Sequence, residues 1–175
     1  MRTEFVSGLK SFPLAIALAG GAVGCDAEPV GPLRLPGGVE IRATATVFDV
    51  ATVNGEKTAI VTTNVVNNGF ATILFHYCGD RVYKQVAGDW VEVWAEECAA
   101  VDGIFSELRP GGVRSTSTFL SDPSSPFSLG PPFKFEVGAL YRVSVQLLVK
   151  TGDGPDDFKL IDSRESMSTP FTLAM

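Results

Sequence analysis

The sequence has one histidine, three cysteines and no C-x-x-C motif, although it is 175 residues long. A Ser/His/Asp triad needs a histidine, and only His76 is available, without a G-x-S-x-G motif beside it. We therefore expect His76 to be a packed or surface residue rather than a catalytic base. Too few histidines and cysteines remain for a metal or redox centre of the usual kinds, so no cofactor and no enzymatic activity are predicted.

The sequence also lacks a cluster of lysine and arginine residues, and its formal net charge is −6. An acidic domain of this kind is a poor partner for nucleic acid or for anionic lipid headgroups. Its apolar N-terminal run, 12–23, is shorter than the roughly 20 residues that cross a bilayer. These shortages exclude a nucleic-acid-binding protein and a helical membrane protein from the leading hypotheses.

The N-terminus has the pattern of an export signal, with Arg2 and Lys10 around the start of the apolar run. The run ends in Ala22-Val23-Gly24-Cys25, which resembles a bacterial lipobox, with Ala22 where that motif usually has leucine. We predict that residues 1–24 are a lipoprotein signal peptide and that Cys25 becomes the lipidated first residue. The alternatives are ordinary signal cleavage that leaves a free Cys25 thiol, or a short N-terminal strand or core helix.

Residues 25–38 are rich in proline and glycine, which disfavour regular structure. We interpret them as the lipidated cysteine and a flexible tether to a domain that spans residues 39–175. Several acyl chains on Cys25 would hold that domain stably on a membrane of the bacterial cell envelope. Without residues 1–24, which contain two basic residues and one acidic residue, the net charge is −7.

Several segments alternate apolar and polar residues with the period of two that is typical of half-buried strands. The clearest are 39–47 and 141–150. Further strands are predicted at the following positions: 58–66, 71–77, 81–86, 90–95, 113–121, 158–162 and 170–173. Short turns such as Asn54-Gly55 and Ala87-Gly88 separate them. Close strands with short turns predict an all-β fold, an antiparallel β-sandwich of about eight strands.

The order of short motifs resembles the immunoglobulin-like domains of small bacterial lipoproteins. These motifs are Thr62–Gly69, Trp90–Trp94, Leu108–Gly112, Gly138–Val143 and Ser168–Leu173, and the resemblance covers about residues 40–174. The pattern is also similar to an immunoglobulin-like family of bacterial proteinase inhibitors, although no inhibitory loop can be assigned. The resemblance implies an immunoglobulin-like sandwich.

Cys78 and Cys98 lie 20 positions apart, and an exported protein is in an oxidising compartment. We predict that they form a structural disulfide, since a metal site or a redox pair fits the sequence less well. In the chain-entropy model a loop of this size stabilises the fold by about 3 kcal/mol.

Asp153, Asp156 and Asp157 lie on a glycine-rich turn and form a weak candidate site for Ca²⁺, a cation that prefers oxygen ligands. Their spacing does not match an EF-hand loop, so a solvated hairpin turn is the default interpretation.

Trp90 and Trp94 are four residues apart and would share one face of a regular strand with Glu92. Such a face could be an aromatic platform for sugars, but we favour packing of Trp90 in the core beside the disulfide.

The longest irregular stretches are 97–112 and 121–134, where Phe127 and Phe133 lie close to a Pro-Pro pair. If Phe127, Phe133 and Trp94 are exposed, they form an interaction patch. If the phenylalanines are buried, they close the end of the sandwich. The sequence leaves both alternatives open, and segment 97–106 is either a helical turn or a crossover loop.

The leading functional hypothesis is a lipid-anchored binding or structural module of the cell envelope, without enzymatic activity, whose partner is an unknown envelope protein or glycan. The alternative is a proteinase inhibitor, which rests on the family resemblance alone. A less favoured hypothesis is an envelope glycan-acting enzyme that uses the carboxylates of Glu92, Glu96 and Glu97.

Overall fold

The structure is a computed structural model, which describes residues 38–76, 78–97, 105–122, 130–152, 154 and 157–175. The described residues form thirteen strands and no helix. The strands are β1 (Val39–Ala43), β2 (Val47–Asp49), β3 (Ala51–Val53), β4 (Glu56–Asn67), β5 (Ile73–His76), β6 (Arg81–Val86), β7 (Asp89–Ala95), β8 (Phe105–Leu108), β9 (Val113–Ser121), β10 (Leu140–Ser144), β11 (Leu147–Lys150), β12 (Phe158–Leu160) and β13 (Phe171–Ala174).

Three sheets are built from these strands. The first contains β1, β4 and β3, with β9 also paired to β4. The second has the order β2-β13-β10-β6-β7, and the third has the order β12-β11-β5-β8. Every pairing between these strands is antiparallel except that of β2 with β13, which is parallel. The predicted all-β, mainly antiparallel fold class is confirmed.

The second and third sheets form one layer that packs against the first. The chain passes from β10 to β11 through Val145 and Gln146, and the Gln146 carbonyl accepts a hydrogen bond from the His76 amide at 3.1 Å. One core cluster contains apolar side chains from all three sheets, such as Val61, Val143 and Phe75. This arrangement is a sandwich, because the inner faces of both layers bury the same cluster.

The number of strands exceeds the predicted eight because two long alternating segments change sheets. Segment 39–47 divides into β1 in the first sheet and β2 in the second, and segment 141–150 divides into β10 and β11. The sequence also missed two edge strands, β3 and β8. Strand β8 begins at Phe105, within the segment for which a helical turn or a crossover loop was predicted.

Two hairpins have two-residue turns in the places that the sequence predicts. Val53 pairs with Glu56 around Asn54-Gly55, and Val86 pairs with Asp89 around Ala87-Gly88. All four turn residues have positive φ, between 52° and 96°. Positive φ at both central positions is the pattern of a type I′ turn, whose twist matches that of the flanking strands.

Candidate functional site

The outer face of the second sheet carries several polar and aromatic side chains and is the candidate functional site among the described residues. Arg142 pairs with Tyr83 in the sheet, and Tyr83 pairs with Glu92. Directly paired residues lie on the same face, so these three side chains point away from the core. Gln85 and its partner Trp90 continue that face at the next outward position.

A β-bulge in β7 separates the two tryptophans. Val82 pairs with Trp94 and Tyr83 pairs with Glu92, so Val93 is an additional residue without a counterpart on β6. One extra residue reverses the alternation of side chains along a strand. Trp94 therefore lies on the inner face, while Trp90 lies on the outer face.

The segment 162–168 covers part of this outer face through hydroxyl contacts. The Tyr83 hydroxyl lies 2.6 Å from the Ser163 hydroxyl, and the Ser144 hydroxyl lies 2.7 Å from that of Ser166. Burial raises the pKa of Tyr83, with a smaller contribution from the nearby carboxylate of Glu92. The phenol therefore stays protonated at neutral pH and can donate a hydrogen bond.

Trp90 and Arg142 form a cation–π pair at the base of an open cleft. The Arg142 guanidinium carbon lies 4.5 Å from the centre of the Trp90 ring, and the Arg142 side chain is buried. The cleft, called here the Trp90 cleft, has a volume of about 550 Å³. Its lining residues are Asp89, Trp90, Val91, Glu92, Arg142, Arg164 and Met167. Because Arg142 is buried and Trp90 is half-buried, their attraction is worth about 1–2 kcal/mol and helps to hold the ring in place.

Glu92 at the edge of the Trp90 cleft is held by two neighbours. Its carboxylate accepts a hydrogen bond from Arg81 Nη1 at 2.7 Å and one from the Tyr83 hydroxyl at 3.3 Å. The bond to Glu92 raises the pKa of Arg81 above its ordinary value. The charges of Arg81 and Glu92 offset each other at the cleft edge, and the position of the Glu92 carboxylate is fixed by its two hydrogen bonds.

A second cleft, of about 470 Å³, lies on the other side of segment 162–168. Its polar lining includes Ser144, Gln146 and Glu96. The Glu96 carboxylate accepts hydrogen bonds from the amides of Gly79 at 3.0 Å and Asp80 at 3.4 Å. Glu96 therefore holds the turn before β6 through one of its two carboxylate oxygens, Oε2.

Asp80 is a buried carboxyl that the sequence analysis missed. It is 5% exposed and accepts a hydrogen bond from the Thr118 hydroxyl of β9 at 2.7 Å, so it links the two layers. Burial raises its pKa from 3.8 to about 7, and the nearby Glu96 carboxylate adds to the shift, while the Thr118 bond opposes it. No sequence pattern marks this residue, because Asp80 follows a glycine in a segment that reads as a solvated turn.

Exposure, the condition for the possible interaction patch, is not met by two of its three residues. Trp94 and Phe133 are each 3% exposed and belong to the core. The indole Nε1 of Trp94 donates to the Pro131 carbonyl at 2.9 Å, and the Phe133 ring packs against Phe135 and Tyr141. The third residue, Phe127, lies outside the described residues.

The preferred placement of Trp90 in the core is also wrong. Trp90 is half-buried on the outer face and is absent from the core cluster, where Trp94 lies instead. The bulge at Val93 is the physical reason, since the prediction assumed a regular strand.

The aspartate-rich turn is described only in part, because Asp153 and Asp156 lie outside the described residues. The Asp157 carboxylate accepts a hydrogen bond from the Gly154 amide at 2.8 Å, and the Asp157 carbonyl accepts one from the Thr151 amide at 2.7 Å. Within the described ranges, no group of three histidine, cysteine or acidic residues is placed to hold a metal ion.

The remaining predicted site residues are Cys25, Cys78, Cys98 and His76, of which the structure describes Cys78 and His76. Cys25 and Cys98 lie outside the described residues, so lipidation and the Cys78–Cys98 disulfide stay predictions. His76 ends β5, where its Nδ1 lies 2.6 Å from the Cys78 carbonyl oxygen and its ring packs on Phe105. Among the described residues, no helix is long and apolar enough to cross a membrane.

No protein-family model and no curated protein matches this chain. Solved structures are similar over most of its length. The Northeast Structural Genomics Consortium target SoR45 is 14% identical, covers 83% of this chain and 89% of its own, and gives a TM-score of 0.38. A PapD-like domain of human CEP192 is 14% identical, with 95% and 94% coverage and a TM-score of 0.33. A protein from Archaeoglobus fulgidus is 12% identical, with 78% and 96% coverage and a TM-score of 0.29. Because all three TM-scores are below 0.5, the fold described above rests on the strand order of this chain itself.

Proposed function

We propose that the protein is a lipid-anchored binding module of the bacterial cell envelope, without enzymatic activity, which binds an envelope protein or glycan in the Trp90 cleft. The observation that carries this proposal is the Trp90 ring held 4.5 Å from the buried Arg142 guanidinium in a cleft of about 550 Å³. Aromatic rings fixed by their surroundings are typical binding anchors, because little conformational entropy is lost when a partner binds.

The charged rim of the cleft supports binding rather than catalysis. Arg164 is exposed, and the Glu92 carboxylate is already engaged by Arg81 and Tyr83. Both bonds are accepted by the same oxygen, Glu92 Oε2, so this carboxylate has a structural role at the cleft edge. The hypothesis of a glycan-acting enzyme therefore receives less support than the binding module.

The anchoring part of the proposal rests on the lipobox-like residues that end at Cys25. The hairpin register supports the disulfide expected in the same compartment. Arg81 pairs with Ala95, and the Glu96 amide donates to the Asp80 carbonyl at 2.9 Å. In the sequence, Cys78 precedes β6 by three residues and Cys98 follows β7 by three residues, which is the spacing that a disulfide across the open end of this hairpin requires.

Photo-crosslinking in cells tests the binding site. We would replace Arg164, on the rim of the Trp90 cleft, with benzoylphenylalanine in the full-length chain. The matched control carries the same group at Ile60, an exposed position in the first sheet. We expect an adduct at position 164 and none at position 60. The adduct at position 164 should disappear with Trp90→Ala. Digestion of the adduct by protease or by muramidase then identifies a protein or a glycan partner.

Equal adducts at both positions, or an adduct that survives Trp90→Ala, would remove the Trp90 cleft from the proposal.

The anchor is tested separately by the intact mass of membrane-extracted protein, with thiol alkylation before and after reduction. We expect loss of residues 1–24, added acyl mass, and two thiols that become reactive only after reduction. The proteinase-inhibitor hypothesis stays a prediction, and a protease panel at micromolar protein concentration tests it.

A further inference from the structure

Phe70 is the most exposed large apolar side chain among the described residues. Its relative exposure is 102%, so no neighbouring group shields the ring. Single exposed apolar residues are common on soluble proteins, and exposure alone would carry no conclusion. Two further observations, the rigidity of its turn and its position next to the tether, distinguish Phe70 from the other exposed apolar residues.

The turn that carries Phe70 is fixed by the buried side chain of Asn67. Asn67 Nδ2 donates to the carbonyls of Ala71 at 2.8 Å and Leu108 at 2.9 Å, and its Oδ1 accepts from the Gly69 amide at 3.0 Å. Asn67 is fully buried, and its bonds with Leu108 and Gly69 are shielded from water. The ring is therefore held outward by an ordered turn.

The tether enters the domain beside this turn. The Asn68 amide donates to the Gly38 carbonyl at 2.9 Å, and Val39 pairs with Asn67. Thirteen residue steps separate Cys25 from Gly38, and a fully extended chain of that length spans at most about 47 Å. A lipid on Cys25 is therefore attached to the domain at the end of the sandwich that carries the Phe70 turn.

The surface beside Phe70 is largely apolar. A depression of about 330 Å³ is lined there by Val39, Ala71, Ile73 and Val149 together with Phe70. The charges nearby are mixed. Arg109 is exposed on the adjoining turn, and Lys150 and Asp157 are exposed at the end of β11 and on the turn after it, beside β5. Mixed charge does not select a strongly anionic or a strongly cationic lipid, so the apolar surface and the exposed ring carry the inference.

We infer that Phe70 inserts into the headgroup region of the bilayer that holds the lipid anchor and orients the domain with its 67–71 turn toward the membrane. The inference rests on the proposed lipidation of Cys25. Aromatic side chains are favoured at the interface between headgroups and acyl chains, which gives the ring its driving force. In this orientation, the membrane is the occupant of the apolar surface.

Fluorescence quenching in vesicles tests the orientation. The lipidated Phe70→Trp protein is reconstituted in phosphatidylcholine vesicles whose acyl chains carry bromine, and Ile60→Trp is the matched control. Wild-type protein supplies the background from Trp90 and Trp94. We expect loss of most of the emission added at position 70 and no loss of the emission added at position 60. Near-equal melting temperatures of the two variants show that both are folded.

Two readouts separate this inference from the anchor on which it rests. Flotation of the protein with the vesicles reports the anchor, and bromine quenching reports the position of residue 70. Flotation with equal quenching at both positions overturns the inference and leaves the anchor intact, whereas absence of flotation overturns both. Shielding of residue 70 from both bromine and aqueous acrylamide would show that protein covers the ring, which also overturns the inference.

Discussion

The two faces of the second sheet use the same strands for different purposes. The inner face buries Val82, Trp94 and Val143 in one apolar cluster, and the outer face carries Tyr83, Glu92 and Arg142 in polar contacts. The bulge at Val93 divides the tryptophans between these faces. The inner indole packs and bonds to Pro131, whereas the outer indole lines a cleft.

The carboxyl groups on the two faces differ in the same way. Asp80 is buried at the contact between the two layers, where its pKa is raised to about 7, and it accepts a hydrogen bond from the Thr118 hydroxyl. Glu92 is partly exposed and has the Arg81 guanidinium as its partner. The Asp80 carboxyl therefore lies between the layers without a cationic partner in hydrogen-bond contact among the described residues, whereas the Glu92 carboxylate on the outer face forms an ion pair with Arg81. Stability and pH sensitivity should therefore depend on the inner face, and ligand binding on the outer face.

Truncation of the two tryptophans should give the largest difference between the faces. We expect Trp94→Ala to lower the free energy of unfolding by about 3–5 kcal/mol, because it leaves a cavity in the core. Trp90→Ala should cost about 1–2 kcal/mol, mainly the lost cation–π contact with Arg142. Urea denaturation of the two variants checks this order, and Trp94→Phe serves as a control that keeps much of the volume. Equal losses would show that the indoles do not differ in packing.

Asp80→Asn should change how stability depends on pH. Folding raises the pKa of Asp80 from 3.8 to about 7, so the folded state binds this proton more tightly than the unfolded state. The free energy of unfolding of the natural protein should therefore fall as the pH rises from about 4 to about 7, by up to about 4 kcal/mol from this group. Asparagine can still accept the Thr118 bond and does not ionise, so the variant should lack this loss.

Denaturant unfolding of both proteins between pH 4 and pH 8 measures that difference. The advantage of Asp80→Asn should grow with pH and become constant above about pH 7. Asp122→Asn, at a half-buried position outside this layer contact, is the control for a general effect of charge removal. A constant offset between Asp80→Asn and the natural protein would contradict the raised pKa.

Much of the strand pattern was predictable because alternation reports burial directly. The bounds of β6 and β9 are those predicted, and both strands pair regularly over most of their length. Alternation does not report which sheet a strand joins. Segments 39–47 and 141–150 therefore looked like single strands, although each crosses from one sheet to another.

The candidate site was much less predictable than the fold. Its formation depends on the bulge at Val93, which no local residue pattern marks, and on segment 162–168, which has no period of two. Arg142 was visible only as a polar residue in an alternating strand. Its burial under that segment and its contact with Trp90 join residues 52 positions apart, and such contacts depend on tertiary structure.

The two type I′ hairpin turns offer the smallest and most controlled test of this sequence-to-structure argument. Asn54 and Ala87 have nearly equal φ, 53° and 52°, and each precedes a glycine, but alanine tolerates this conformation poorly. We expect Ala87→Asn to raise the free energy of unfolding by about 0.5–1 kcal/mol and Asn54→Ala to lower it by a similar amount. Urea midpoints of the two single variants measure both effects. Strand β7 follows Ala87 and carries both tryptophans, so binding at the Trp90 cleft should be measured for the same variants. A higher free energy of unfolding for Ala87→Asn, with unchanged binding, would show that this turn limits stability and that the outer face keeps its geometry.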